Sequence, residues 1–212
     1  MSDKAKEIMY KMMENKIDDF MAMHNFYRRG KSLNYLKKIG KTKQGVEMIF
    51  FSNPSYQPGA IMHIYPWISI YFAEVNEMAN QMINDINLVA GLEKSTIRQP
   101  IQILTDSERW MLFDEKEYSS LAEQICVFLQ KNTVPLLKNL EKISDFIKIY
   151  ELKDKRVMMG DAQYIFIVSA YILQGNYEKA IAVLETRFGK ATLRRRYASI
   201  FSYVENEMEN KL

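Results

Sequence analysis

The amino-acid sequence predicts an α+β protein, with an N-terminal helix, an antiparallel sheet of about five strands that includes an inserted helix, and a C-terminal group of four or five helices. Three observations predict this order. Apolar residues recur at helical spacing before residue 23, β-branched and aromatic residues concentrate between residues 33 and 72, and helical periodicity returns from residue 115 onward.

The first element is predicted to be a helix over residues 3–23. Charged residues fill one side of this segment, and Ser2 is placed to cap its N-terminus. Its apolar residues follow the spacing of one helical stripe: Ala5, Ile8, Met9, Met12, Met13, Ile17, Phe20 and Met21.

Three strands are predicted next, over residues 33–39, 46–52 and 61–72. Turn-forming residues separate them at 40–45 and 52–59. Consecutive strands with short connections indicate an antiparallel meander.

The third of these strands alternates between two kinds of side chain, with one interruption at Pro66. Because successive side chains point to opposite faces of a sheet, one face is aliphatic and the other is aromatic with polar tips. The aromatic set is His63, Tyr65, Trp67 and Tyr71. Two interpretations stay open for it: a face packed under helices, or a surface that contacts a partner, since Tyr and Trp are enriched in binding surfaces.

The remaining elements follow from similar patterns. A helix is predicted from residue 75 to 86, strands at 97–104 and 109–113 around a turn at 105–108, and helices thereafter, with an end or a kink near Pro135. Asp161 is a predicted cap, and Gly175 and Gly189 are predicted to end helices. The predicted domains are an α+β part over 1–152 and a helical segment over 153–212 packed on it.

Composition narrows the class of protein. The chain has 212 residues and a single cysteine, so it forms no intramolecular disulfide. Its N-terminus lacks the continuous apolar stretch of a signal peptide, and no apolar run approaches the length of a membrane span. We therefore expect a cytoplasmic protein with no membrane association.

No catalytic, metal-binding or cofactor-binding motif is recognisable. The chain has two histidines, His24 and His63, without further ligands at short spacing, and Cys126 falls near an apolar helical stripe. These observations favour a protein without chemistry of its own and with no cofactor. An active site assembled from dispersed residues, such as His63, Asp106, Glu108 and Arg109, stays open.

Protein binding is therefore the leading expectation, with His63, Tyr65, Trp67, Tyr71, Arg28 and Arg29 as the candidate partner-binding residues. Nucleic-acid association is the alternative, because residues 1–60 carry 11 Lys or Arg against 6 Asp or Glu. In that case basic side chains would contact phosphates and the sheet aromatics would stack on bases: Arg28, Arg29, Lys31, Lys37, Lys38, Lys41 and Lys43.

The leading helix, the segment Asn25-Phe-Tyr-Arg-Arg-Gly-Lys-Ser32 and the strand end Phe50-Phe51-Ser52 resemble an uncharacterised bacterial family of unknown function. In that family a glycine-phenylalanine-basic-glycine turn joins a helix to an antiparallel sheet; here Asn25 replaces the first glycine. Some relatives are suspected immunity proteins. The resemblance covers the first half of the chain and implies a bacterial protein that neutralises a toxin, with no catalytic residues to transfer.

Overall fold

A computed structural model describes residues 3–83, 95–104 and 109–210 of the chain. The predicted α+β class is confirmed. The predicted Ser2 cap, the end of the helix predicted at 75–86 and the turn at 105–108 lie outside the described residues.

The N-terminal helix spans the predicted length and contains a π-helical turn. It consists of α1 (Asp3–Met12), the π-turn Met13–Ile17 and α2 (Asp18–Met23), with helical backbone angles at both junctions. Its apolar stripe is buried as the spacing predicted: Ile8, Met9, Met12, Met13, Ile17 and Met21 are at most 2% exposed.

Seven strands follow in the described ranges, and they form two sheets. The four-stranded sheet has the order β1-β2-β5-β6, with β1 Asn34–Ile39, β2 Thr42–Glu47, β5 Trp67–Phe72 and β6 Ile97–Pro100. The three-stranded sheet has the order β3-β4-β7, with β3 Phe50–Ser52, β4 Met62–Ile64 and β7 Trp110–Leu112, all antiparallel.

Two predicted strands are each divided between the sheets. The segment predicted as 61–72 forms β4 and β5, which separate at Tyr65 and Pro66. Proline has no N–H to donate to a ladder, so a continuous pairing is interrupted there. The segment predicted as 46–52 likewise belongs to β2 and β3. The turn predicted at 40–45 contracts to Gly40 and Lys41, with Gly40 in the left-handed region (φ 56°).

Gly45 shows why a small residue is needed inside β2. A Cβ at this position would lie 2.5 Å from Oγ of Ser69 and 3.2 Å from Oδ1 of Asn34. The side chains of the two neighbouring strands therefore occupy the space that a Cβ at residue 45 would need.

The second long helix also contains a π-turn. It runs as α4 (Tyr118–Phe128), the π-turn Leu129–Thr133 and α5 (Val134–Lys138). Pro135 was predicted to end or kink this helix. The helix does not end there but continues to Lys138, and the π-turn Leu129–Thr133 widens the backbone where the ring of Pro135 would meet the preceding turn.

The other helices are α3 (Ala73–Met82), α6 (Ile143–Glu151), α7 (Asp161–Leu173), α8 (Tyr177–Phe188), α9 (Ala191–Arg196) and α10 (Ala198–Glu209), with 3₁₀ turns at Ile101–Leu104 and Glu115–Glu117. Gly160, not Asp161, occupies the N-cap of α7. Gly175 follows α7 in the left-handed region (φ 71°), whereas Gly189 has an ordinary helical φ.

The chain divides into two compact units. The first contains residues 1–39, 43–69 and 99–139, and the second contains residues 40–42, 70–98 and 140–212. The predicted boundary near residue 153 falls within the second unit. In that unit α7 is buried nearly all round and forms a helical hairpin with α8, and Phe72 stacks on Phe146 at 5.9 Å between ring centroids.

Candidate functional site

The three-stranded sheet of the first unit has two faces of different character. One face is core: Phe50, Met62, Ile64, Trp110 and Leu112 are all buried. Cross-strand partners share a face, and Phe51 lies opposite His63, which lies opposite Met111. These three side chains therefore point away from the core.

Aromatic rings continue from this second face along the chain. The centroid of His63 lies 6.2 Å from that of Phe51 and 5.5 Å from that of Tyr65, and Tyr65 lies 6.1 Å from Trp67. These separations are those of interacting rings. We call Phe51, Tyr56, His63, Tyr65, Trp67 and Met111 the outer face.

The loop between β3 and β4 completes the outer face. Tyr56 places its ring edge-on to His63 at 5.8 Å, and its hydroxyl lies 2.5 Å from Nδ1 of His63. The side chains of Tyr56 and Phe51 remain 57% and 48% exposed. Phe113, directly after β7, is also 48% exposed. A cluster of large exposed aromatics on one sheet is unusual for a surface that contacts only water.

His63 is the buried centre of this face. It is 7% exposed, and its Nε2 has no hydrogen-bond partner among the described residues. Burial, and secondarily the positive charge of Arg109, lower the pKa of His63 below its ordinary value. The ring is therefore neutral at pH 7 and serves as an aromatic member of the cluster.

Only part of the predicted site comes together. His63, Tyr65 and Trp67 lie in the first unit and form the ring series described above. Tyr71 is half-buried on β5 and belongs to the second unit. Phe51 and Tyr56 were missed as site residues; for Phe51 the signal was its alternation with the buried Phe50.

Arg28 has a structural role within the first unit. Its side chain is 9% exposed, and Nε and Nη2 donate to the two carboxylate oxygens of Asp18 at 2.7 and 2.8 Å. Nη1 also donates to the carbonyl of Gly30. The guanidinium is therefore bonded to Asp18 of α2 and to Gly30 of its own loop, and Arg28 is not a residue of the outer face. Arg29 is exposed beside it.

Asp18 is the acceptor at the centre of this network. The hydroxyl of Tyr35 donates to its Oδ1 at 2.5 Å. Burial acts to raise the pKa of Asp18, but hydrogen bonds from Arg28 and Tyr35 and the charge of Arg28 outweigh burial, so the pKa is lowered. Burial, with the bond to Asp18, raises the pKa of Tyr35 and keeps it protonated.

Cys126 lies on α4 and is 6% exposed. Burial is the main cause that raises the pKa of its thiol to about 11. The thiol is therefore protonated at neutral pH and behaves as a small apolar side chain.

Two other kinds of site are absent from the described residues. In the part of the chain that the structure describes, no three His, Cys, Asp or Glu side chains are grouped so as to hold a metal ion. None of the described helices combines the length and the apolar character needed to cross a membrane.

Comparison with known proteins yields no relative from which a role can be transferred. No protein family, no curated protein and no solved structure matches this chain.

Proposed function

We propose that this chain is a cytoplasmic protein-binding module whose partner protein docks on the outer face. One observation carries the proposal: exposed Phe51 and Tyr56 extend a series of rings on the sheet face opposite the buried one. Aromatic side chains contribute large contact areas at low conformational cost, and they dominate the energetics of many protein interfaces.

The resemblance to immunity-like relatives implies that the partner is a toxin. We propose, as the most specific version of this function, that the chain neutralises a toxin by binding it. The mechanism would be occlusion, because burial of the outer face against a partner needs no reacting group. The neutral ring of His63 and the aromatic rings around it suit such a contact, since desolvating them costs less than desolvating charges.

Nucleic-acid binding has less support. Of the basic residues that would contact phosphates, Arg28 is bonded to Asp18, and Lys41 lies 2.7 Å from Oε1 of Glu74. Each of these cations already has a carboxylate beside it, which reduces the attraction to phosphate.

The test is capture of the partner by tagged, purified protein from the native lysate, with and without nuclease, compared across two variants. Phe51→Ser removes an exposed ring of the outer face, and Leu152→Ser removes an exposed apolar side chain of the second unit as a matched control.

The proposal expects one stoichiometric protein that survives nuclease, is retained by Leu152→Ser and is lost at least tenfold with Phe51→Ser. Equal capture by the two variants would contradict docking on the outer face. Capture that disappears with nuclease would favour nucleic acid instead.

A further inference from the structure

An open cleft of about 530 Å³ lies in the first unit beside the second long helix. Six of the side chains that line it are Arg109, Trp110, Val127, Phe128, Lys131 and Asn132. An adjoining cavity of about 560 Å³ shares Glu123, Val127 and Lys131 with it. Volumes of this size match sites for small organic molecules.

The cleft carries an excess of positive charge. Arg109 and Lys131 are exposed, and neither forms an ion pair within residues 3–83, 95–104 and 109–210. Glu123 is the one carboxylate among the described residues that line the cleft, and its Oε2 lies 3.0 Å from Nζ of Lys16. Because Lys16 lies beside this carboxylate, the described residues that line the cleft include two cations without a carboxylate partner, and these attract an anion.

The floor of the cleft is apolar and aromatic. Trp110 and Phe128 are 2% and 3% exposed, and their rings meet edge-on with centroids 5.0 Å apart. Val127 is 45% exposed beside them. The exposed side chain of Val127 supplies most of the apolar surface that a ligand can cover, beside two rings that are already buried, and covering it releases water from both surfaces.

The backbone at the cleft is itself unusual. Lys131 and Asn132 both belong to the π-turn Leu129–Thr133. Turns of this kind are rare and occur frequently at functional sites. Here the turn supplies the cation of Lys131 to the cleft, while Nδ2 of Asn132 donates to the carbonyl oxygen of Phe128 at 3.3 Å.

We propose that this cleft binds a small organic anion, whose apolar body lies against Trp110, Phe128 and Val127 and whose negative group is held by Arg109 and Lys131. This inference is independent of the outer face, so it stands or fails separately from partner binding.

Two matched fluorescent probes test the proposal. The first, 8-anilinonaphthalene-1-sulfonate, is an aromatic anion, and N-phenyl-1-naphthylamine is its uncharged counterpart. The wild-type protein should bind the sulfonate roughly tenfold more tightly than the neutral probe, because two charge-assisted contacts act on the sulfonate alone.

Three variants locate the site. Arg109→Gln/Lys131→Gln should weaken sulfonate binding roughly tenfold and leave the neutral probe unchanged. Lys116→Gln/Lys138→Gln removes the same charge from two exposed lysines of the same unit and should leave both probes unchanged. Val127→Trp should weaken both probes by filling the cleft. Far-UV circular dichroism establishes that each variant is folded.

Several results would overturn the inference. Equal affinity of the two probes for the wild-type protein would show that charge does not contribute to binding in the cleft. The inference also fails if the Arg109→Gln/Lys131→Gln protein binds the sulfonate as the wild type does, or if the control pair loses as much. Loss of the sulfonate in Phe51→Ser would place the probe on the outer face instead.

Discussion

Replacing Arg28 with methionine should destabilise the first unit by about 2–3 kcal/mol. The change removes two charge-assisted hydrogen bonds to Asp18, at 2.7 and 2.8 Å, and the hydrogen bond to the carbonyl of Gly30, and it keeps the aliphatic stem of a side chain that is 9% exposed. Loss of one partner of a fully buried pair typically costs about 3–5 kcal/mol. Asp18 is 32% exposed and still accepts from Tyr35, so water and this bond offset part of the loss.

Urea unfolding followed by tryptophan fluorescence measures this effect. The chain contains two tryptophans, Trp67 and Trp110, and both belong to the first unit, so the signal reports on the unit that contains Arg28. A loss of 2–3 kcal/mol corresponds to a decrease of roughly 1 M in the urea midpoint. Lys4→Met, which removes an exposed partner of Glu115 in the same unit, should leave the midpoint unchanged.

A double-mutant cycle with Asp18→Asn separates the pair from its surroundings. The double variant should be about 1–2 kcal/mol more stable than the sum of the two single effects predicts, since each single change already breaks the same contact. Additive effects, or an Arg28→Met midpoint equal to that of Lys4→Met, would refute the conclusion that this pair stabilises the first unit.

Three further predictions concern pH, thiol chemistry and packing. The pKa of Asp18 in the folded protein is below its ordinary value of 3.8, so its contribution to stability is present above pH 3.8 and is lost as the pH falls through the folded pKa. Asp18→Asn should therefore flatten this part of the acid-unfolding profile. A profile unchanged by the substitution would contradict the prediction. Cys126 is 6% exposed and its thiol has a pKa of about 11. The thiol should react with an aromatic disulfide at pH 7.5 at least a hundredfold faster in denaturing urea than in buffer. A fast reaction of the native protein would contradict its burial. Gly189→Ala should lower the thermal midpoint by several degrees, because its Cβ would overlap the carbonyl oxygen of Glu185. Gly160→Ala should change the midpoint less, because its nearest contact is Oε1 of Gln163 at 3.2 Å. Equal shifts in the two variants would contradict this assignment.

Local patterns predicted local structure well in this chain. The stripe from Ala5 to Met21 predicted the first helix because apolar residues recur along it at spacings of three and four residues. Alternation from Met62 to Phe72 also predicted the buried aliphatic face, with Ile64, Ile68 and Ile70 in the core, although His63 on the opposite face is buried as well. Both signals depend on neighbours in sequence, which is why they were sufficient.

Changes of sheet were not predictable from the same alternation. The pattern continues through Tyr65 and Pro66 although the chain leaves one sheet and enters another there. It also continues through Met48, although β2 ends at Glu47 and β3 begins at Phe50. A period of two residues predicts the face of the sheet to which each side chain points. It does not predict which strand is the hydrogen-bonded neighbour.

Long-range pairs explain why the site was only partly predicted. In the sequence Arg28 is a cation available for a partner. In the structure it is bonded to Asp18, which lies ten residues earlier in the chain. The π-turns were not anticipated either; Pro135 accounts for the one in the second long helix, and nothing in residues 13–17 accounts for the other. The cleft was not predicted because Arg109 and Lys131 are distant in sequence and line the same cleft only in the folded chain.

Site-specific photo-crosslinking tests the central claim most directly. A photoreactive phenylalanine derivative is placed at Phe51 on the outer face or, as a control, at Leu152, which is 69% exposed in the second unit. Irradiation in living cells should yield one protein adduct from position 51 that is absent from position 152 and insensitive to nuclease. No adduct from position 51, or the same adducts from both positions, would contradict docking on the outer face.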